Sequence, residues 1–108
     1  MTWLLLLGAI LSEVVGTLAL RASEGFSQPL PSVIVVVGYI VSFVLLALVL
    51  ERGVPVGVAY AIWAGLGVAL VAVLGRLLFD DPLTWVTGAG IAAIVGGVAL
   101  VEASTATR

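Results

Sequence analysis

One acidic side chain, Glu13, lies near the centre of a long apolar segment at the start of the 108-residue chain. A charged side chain at the middle of a membrane helix costs about 2.5 to 3.5 kcal/mol on insertion scales, so a carboxylate kept there usually has a function. A carboxylate can bind a proton or neutralise a cation, and the sequence predicts one or both of these roles for Glu13. It could instead serve assembly, by hydrogen bonding between helices.

Aromatic and hydroxyl side chains recur at helical spacing in two other apolar segments. Tyr39, Ser42 and Phe43 share one face of the second segment, and Tyr60 and Trp63 are neighbours on one face of the third. Because aromatic rings attract positive charge, such faces beside a carboxylate suit an organic cation, and we expect these five residues to line a chamber for it. Each of these aromatic residues taken alone could equally well face lipid.

The face of the first segment that carries Glu13 is otherwise small or aliphatic. At helical spacings from the carboxylate it holds Leu6, Ala9, Ile10, Gly16 and Thr17. Small side chains on either side of Glu13 leave a hollow, so we expect this face to line a substrate chamber.

The composition is that of an integral membrane protein. Hydrophobic residues make up 63% and charged residues 9% of the chain, whereas a soluble domain has about a quarter charged residues. The absence of Cys, His and Lys excludes disulfides, thiol chemistry, histidine metal sites, lysine Schiff bases and P-loop nucleotide binding. We therefore expect no enzyme activity, no metal and no cofactor.

Four apolar segments have the length of roughly 20 residues that a membrane-spanning helix needs. Turn and charge signals separate them, and the connections are short. We predict an all-α integral membrane protein with four antiparallel transmembrane helices in a single domain, residues 1–108. The approximate spans are residues 3–20, 32–50, 54–79 and 83–101.

The arginines are divided equally between the two sides of the predicted membrane. Arg52 and Arg108 fall on the side of the termini, and Arg21 and Arg76 fall on the opposite side. The positive-inside rule therefore gives no bias, and the sequence is compatible with insertion in both orientations.

The fourth segment has many small residues and no charge before Glu102, as in helices that pack closely against another helix. We expect it to be a dimerisation element. Four helices are too few to enclose a chamber for an organic molecule, and a dimer brings two copies of Glu13 together. Such a pair can hold either protons or a cation, and that competition is the minimum machinery for proton-coupled antiport.

The chain resembles the small multidrug resistance transporters along nearly its whole length. The most specific stretch is Ala-Tyr-Ala-Ile-Trp at residues 59–63, which follows Pro-x-Gly, in combination with the Glu of the first segment. Other similar stretches are residues 8–17, 23–26, 31–32, 42–43 and 90–98, with Tyr39. The resemblance implies an antiparallel, dual-topology homodimer in the bacterial cytoplasmic (inner) membrane, whose paired Glu13 carboxylates bind protons and substrate in turn.

The same resemblance implies roles for individual residues. Tyr60 and Trp63 contact the substrate, and Tyr39 belongs to the chamber. Gly65 and Gly67 correspond to a kink in the third helix, and Gly90 and Gly97 correspond to the dimer contact of the fourth. Gly16-Thr17 is similar to the quaternary-cation exporters, whereas the guanidinium exporters typically have Trp in place of Gly16.

These features predict a proton-coupled antiporter that exports lipophilic and quaternary ammonium cations. A guanidinium or small-metabolite cation exporter on the same scaffold is the first alternative. The second is a non-transporting membrane interaction subunit. The expected partners are organic cations, protons, the lipid bilayer and a second copy of the chain or a paired family member, and no nucleic acid.

Overall fold

Four α-helices make up the described part of the chain, residues 1–106 of the computed structural model. They are α1 (Thr2–Ala22), α2 (Pro29–Glu51), α3 (Val56–Phe79) and α4 (Trp85–Ala106). Each of them is long and apolar enough to cross a membrane, which confirms the predicted all-α architecture with four membrane-spanning helices. Arg108, one of the arginines in the orientation count, lies outside the described residues.

The helix ends differ from the predicted spans by a few residues, at positions set by proline and by polar residues. α2 begins at Pro29 rather than near residue 32. Proline is favourable at a helix start because the backbone N–H that it lacks would be unpaired in the first turn. α3 begins at Val56, with Pro55 as its N-cap. α4 begins at Trp85 rather than at residue 83 and continues to Ala106, since a helix can extend past the apolar region into a polar tail.

α1 and α2 form a compact unit, residues 1–54. The two helices approach closely at Gly38, where an added Cβ atom would lie 2.9 Å from the carbonyl oxygen of Ser12. The buried hydroxyl of Ser42 donates a 2.7 Å hydrogen bond to the carbonyl oxygen of Ala9. Buried apolar residues of this unit are Leu6, Ala9, Ile10, Val14, Val35 and Val49.

The turn between α1 and α2 is organised around the buried side chain of Ser23. Its hydroxyl donates to the carbonyl oxygen of Leu20 at 2.7 Å and accepts from the backbone N–H of Phe26 at 3.1 Å. Glu24, Gly25 and Phe26 all have left-handed φ angles, of 48°, 73° and 67°. The left-handed conformation costs a residue with a Cβ atom roughly 1 to 2 kcal/mol, so the Ser23 hydrogen bonds help to hold this reversal of the chain.

α3 and α4 belong to a second compact unit, which begins at Pro55. An added Cβ atom on Gly65 would lie 2.5 Å from Cγ2 of Val98, so the absence of a side chain lets the two helices approach. α3 ends at Asp80, which has a left-handed φ of 56°. The Asp80 carboxylate lies 2.8 Å from the Arg76 guanidinium in an exposed ion pair. Of the four helices, α4 buries the smallest share of its residues.

Candidate functional site

Glu13 lies in the middle of α1, half-buried, and its two carboxylate oxygens have different surroundings. Oε1 accepts a 2.8 Å hydrogen bond from the hydroxyl of Thr17, about one turn further along the helix. Oε2 is buried and has no hydrogen-bond partner among the described residues. A buried acceptor without a partner costs about 1 to 3 kcal/mol, and more when it is charged. Oε2 is therefore the atom at which a proton or a cation would relieve a large penalty.

Tyr39 of α2 reaches the same cluster through Thr17. Its hydroxyl oxygen lies 2.7 Å from Thr17 Oγ1, so the structure brings Glu13, Thr17 and Tyr39 together by way of two hydrogen bonds. The ring of Tyr39 is half-buried and lies 6.5 Å, between centroids, from the exposed ring of Phe43. Tyr39 and Phe43 therefore form an aromatic surface on α2, and the Tyr39 hydroxyl connects this surface to Glu13 through Thr17.

Gly16 provides the space into which the Tyr39 ring fits. An added Cβ atom on Gly16 would lie 3.4 Å from two ring carbons of Tyr39, which is ordinary van der Waals contact. Any larger side chain at this position would require the ring to move. Gly16 is buried, so this contact belongs to the packing between α1 and α2.

Several other residues predicted for the chamber lie in the core of this unit. Leu6, Ala9 and Ile10 are each no more than 2% exposed, and Ser42 is fully buried with its hydroxyl on the Ala9 carbonyl. Their observed contacts hold α1 against α2 and so fix the position of Glu13. A contact between these four residues and a substrate stays a prediction.

Tyr60 and Trp63 form an aromatic pair on α3. Their ring centroids are 5.5 Å apart and the ring planes are inclined by 50°. Trp63 is 9% exposed whereas Tyr60 is 58% exposed, so the Trp63 ring is packed against the protein and the Tyr60 ring lies on the surface. A tilted arrangement of this kind is a favourable geometry for two aromatic rings.

The glycines singled out in the sequence have two kinds of surroundings. On α3, Gly65 faces the side chain of Val98, and Gly67 is buried. α3 is continuous across both of them, from Val56 to Phe79. On α4, an added Cβ atom on Gly90 or Gly97 would have no atom within 4 Å, so both positions are open. The predicted kink and dimer contact stay predictions.

Among residues 1–106, the charged residues other than Glu13 lie at or near the helix ends. Arg21 is in the last turn of α1, Glu51 ends α2, and the Arg76–Asp80 pair marks the end of α3. Within residues 1–106, no group of three or more His, Cys, Asp or Glu side chains is arranged to hold a metal ion. Glu13 is thus the central ionisable group of its unit, in surroundings where a charge attracts a counter-charge more strongly than in water.

Sequence reasoning missed two features of the first unit. Gly38 sets the close approach of α2 to the Ser12 carbonyl. The sequence feature that could have indicated this contact is a single glycine, just before Tyr39, in a run rich in β-branched residues. A shallow apolar groove of about 430 Å³ also lies on this unit, and it required the backbone geometry to be seen. Its lining residues are Leu11, Ser12, Val15, Val33, Ile34, Val37, Gly38 and Val41.

The chain is similar in sequence to several bacterial proteins that are named as resistance proteins or multidrug transporters. The chain is 44% identical over 100 residues to the quaternary ammonium compound-resistance protein QacE of Escherichia coli, covering 93% of this chain and 90% of QacE. It is 45% identical over 97 residues to the multidrug resistance protein EbrB of Bacillus licheniformis, covering 90% and 81%. A multidrug transporter of Pseudomonas aeruginosa is 45% identical over 94 residues, covering 87% and 84%.

The family model described as Small Multidrug Resistance protein matches residues 1–101. The match includes Glu13, Tyr39, Tyr60 and Trp63, and it covers α1, α2, α3 and most of α4. The chain therefore belongs to the Small Multidrug Resistance family, and it is a multi-pass protein of the bacterial inner membrane.

Proposed function

We propose that this protein is a proton-coupled antiporter that exports lipophilic and quaternary ammonium cations, and that it works as an antiparallel homodimer. The observation that carries the proposal is the asymmetry of the Glu13 carboxylate. One oxygen is held by Thr17, while the other is buried without a partner in the described chain. A proton and a cation would compete for this second oxygen, and such competition couples their movements in opposite directions.

The aromatic side chains of the two units support an organic cation as the substrate. Tyr39 is joined to Glu13 through Thr17, and Phe43 lies beside Tyr39 on the surface of α2. Tyr60 and Trp63 supply a second aromatic pair on α3. A ring face attracts a cation by about 0.5 to 2 kcal/mol, more when water is excluded, and apolar rings also bind the hydrocarbon groups of a quaternary ammonium ion.

The relatives and the space at Gly16 support the quaternary-cation branch. One relative is named for resistance to quaternary ammonium compounds and another for multidrug resistance. In this chain the Tyr39 ring occupies the space beside Gly16 where a tryptophan side chain would have to go. A tryptophan, which the guanidinium exporters typically have at this position, would therefore require the Tyr39 ring to move.

The surface of α4 and the arginine count support an antiparallel dimer. Gly90 and Gly97 leave open backbone surface on α4, where a second copy of the helix could approach closely. The equal division of arginines leaves both insertion orientations available. Two oppositely oriented copies would place two Glu13 carboxylates on a single chamber and would make the inward-open and outward-open dimers equivalent, as in inverted-repeat transporters.

Exchange in proteoliposomes with an imposed pH gradient tests the proposal. We expect the gradient to drive uptake of an aromatic quaternary ammonium ion such as methyl viologen, and to drive much less uptake of guanidinium. Glu13→Gln keeps the side-chain shape but cannot release a proton, so it should abolish uptake. Glu51→Gln, at the exposed end of α2, is the matched control and should transport as the wild type does.

The two alternatives give different outcomes in the same assay. Uptake of guanidinium without uptake of methyl viologen would identify a guanidinium exporter and overturn the proposed substrate class. If neither ion moves while the protein still forms a dimer, Glu13 serves assembly and the protein is not a transporter. If uptake appears only after a second family member is added, the functional unit is a heterodimer.

A further inference from the structure

Three side chains of the first unit form a continuous chain of hydrogen bonds that ends on Glu13. We propose that Thr17 is a positioning residue: its hydroxyl, oriented by Tyr39, holds Oε1 of Glu13 so that Oε2 remains the atom that takes the proton or the cation. This inference rests on the proposed function and extends it, because it separates the roles of the two carboxylate oxygens.

The direction of the hydrogen bonds follows from the number of protons available. A threonine hydroxyl carries one proton, and Thr17 donates it to Glu13 Oε1 over 2.8 Å. The 2.7 Å contact between Thr17 and Tyr39 must then use the proton of the Tyr39 hydroxyl. The chain therefore runs from Tyr39 to Thr17 to Glu13, and each donor is committed while the carboxylate is ionised.

Backbone packing fixes the outer end of this chain. The Tyr39 ring rests against Gly16, and the neighbouring Gly38 lies against the Ser12 carbonyl with no room for a side chain. The Tyr39 hydroxyl is thereby held relative to α1. The terminal torsion of a glutamate side chain is broad, so without a bond to Oε1 the carboxylate would rotate freely. Thr17 removes that freedom and keeps Oε2 as the oxygen without a partner.

The chain also affects the competition between protons and cations. A hydrogen bond donated to the ionised carboxylate favours that form over the protonated form, so a cation displaces the proton more easily when Thr17 is present. α2 is the helix packed against α1, and the titratable group that it directs towards Glu13 is Tyr39. The remaining charged residues of these helices, Arg21 and Glu51, are at the helix ends.

Binding of tetraphenylphosphonium as a function of pH tests the assignment. Thr17→Val keeps the side-chain shape and removes the hydroxyl, and we expect it to move the pH of half-maximal binding upwards by about 0.5 to 1 unit, a roughly three- to tenfold gain for the proton. Affinity at the alkaline limit should change less. Thr17→Ser restores a hydroxyl and should give the wild-type pH profile.

Tyr39→Phe adds a test of the direction of the chain. It keeps the ring but removes the donor to Thr17, so it should shift the profile in the same direction by a smaller amount. In the Thr17→Val background it should add nothing, because the connection to Glu13 is already lost. A full additional shift in the double variant would overturn the proposal.

Other outcomes separate the positioning role from a substrate contact. If Thr17→Val weakens alkaline binding while the pH profile stays that of the wild type, Thr17 is a wall of the chamber and the assignment is wrong. If Thr17→Ser shifts the profile as much as Thr17→Val, the hydroxyl is irrelevant and the assignment is also wrong.

A measurement without ligand keeps this inference separate from the transport proposal. The carboxylate stretching band of Glu13, isolated by subtracting the infrared spectrum of Glu13→Gln, reports hydrogen bonds to the ionised carboxylate. The band should move in Thr17→Val and stay in place in Thr17→Ser. An unchanged band in Thr17→Val would overturn the positioning role even if transport is normal. If the band moves in Thr17→Val but the protein transports nothing, the positioning role of Thr17 is retained. Only the proposed transport function is then rejected.

Discussion

Gly38 of α2 lies so close to Ser12 of α1 that an added Cβ atom would be 2.9 Å from the Ser12 carbonyl oxygen. The same Cβ atom would lie 3.1 Å from Cα of Gly16, and these neighbours are backbone atoms that cannot rotate away. The backbones of α1 and α2 are therefore in contact at Ser12, the residue that precedes Glu13. The position of Tyr39 relative to Thr17 depends on this contact.

Gly38→Ala should push α2 away from α1. Overpacking of this kind costs about 1 to 3 kcal/mol, so we expect a lower unfolding temperature in detergent. The displacement should also lengthen the contact between Tyr39 and Thr17 and weaken tetraphenylphosphonium binding. Thermal unfolding and ligand titration of the same purified samples measure both effects.

Gly88→Ala is the matched control, because an added Cβ atom there has no neighbour within 4 Å. It should leave the unfolding temperature close to that of the wild type. Equal unfolding temperatures for Gly38→Ala and Gly88→Ala would show that the contact at Gly38 does not stabilise the packing of α1 against α2.

Substitutions at Gly16 should show whether cation binding depends on the position of the Tyr39 ring. Gly16→Ala places its Cβ at 3.4 Å from the Tyr39 ring and should keep the affinity for quaternary cations within about threefold. Gly16→Leu cannot fit without moving the ring, so it should lower that affinity at least about tenfold, which corresponds to 1.4 kcal/mol. Ligand titration compares the two variants. Equal affinities would show that the Tyr39 ring moves without consequence.

Cation binding by the wild-type protein should weaken as the pH falls. Protonation of Glu13 removes the negative charge that attracts the cation, so affinity should be highest at the alkaline end of a pH series and should decline towards its acidic end. Titration with tetraphenylphosphonium at several pH values in this range measures the effect. Glu13→Gln is the control and should bind weakly at every pH. An affinity of the wild type that stays constant over this range would contradict competition between proton and cation.

Trp63 requires a pair of substitutions because it is nearly buried, at 9% exposure. Trp63→Ala would leave a cavity that costs about 3 to 5 kcal/mol, so lost transport in that variant would not identify a ligand contact. Trp63→Phe keeps an aromatic face and Trp63→Leu does not, while both leave smaller cavities. We expect Trp63→Phe to retain part of the transport activity and Trp63→Leu to lose it at similar stability. Equal transport by the two variants would assign Trp63 to packing alone.

The sequence was sufficient to predict the number and type of the helices, because length and hydropathy decide whether a segment can cross a membrane. Residue chemistry and helical spacing also put Glu13 and Tyr39 forward for one site, and the structure joins their side chains through two hydrogen bonds, while their role in binding a substrate stays a prediction. The sequence could not predict that Thr17 connects them. That connection depends on the rotation of α2 about its axis, which the close contact at Gly38 determines.

The exposure of individual side chains was also beyond sequence reasoning. Ser42 and Phe43 are adjacent and were both assigned to the chamber, yet Ser42 is fully buried against α1 and Phe43 is 56% exposed. Adjacent helical residues point about 100° apart, so a broad predicted face contains both packed and open positions. Only the packing of α2 on α1 distinguishes the two.

Insertion in both orientations is the last prediction, and it rests on the equal division of arginines and on the need for two Glu13 carboxylates in one chamber. The chain has no cysteine, so Ser104→Cys gives a single label site in the exposed last part of α4. Membrane-impermeant labelling should modify roughly half of the copies from each side of the membrane. Adding about two or three lysines near the C-terminus should fix most copies with their termini inside and lower transport, and co-expression of an oppositely biased variant should restore it. Labelling of nearly all wild-type copies from one side would reject the dual-topology homodimer in favour of a parallel dimer or a partner chain of opposite orientation.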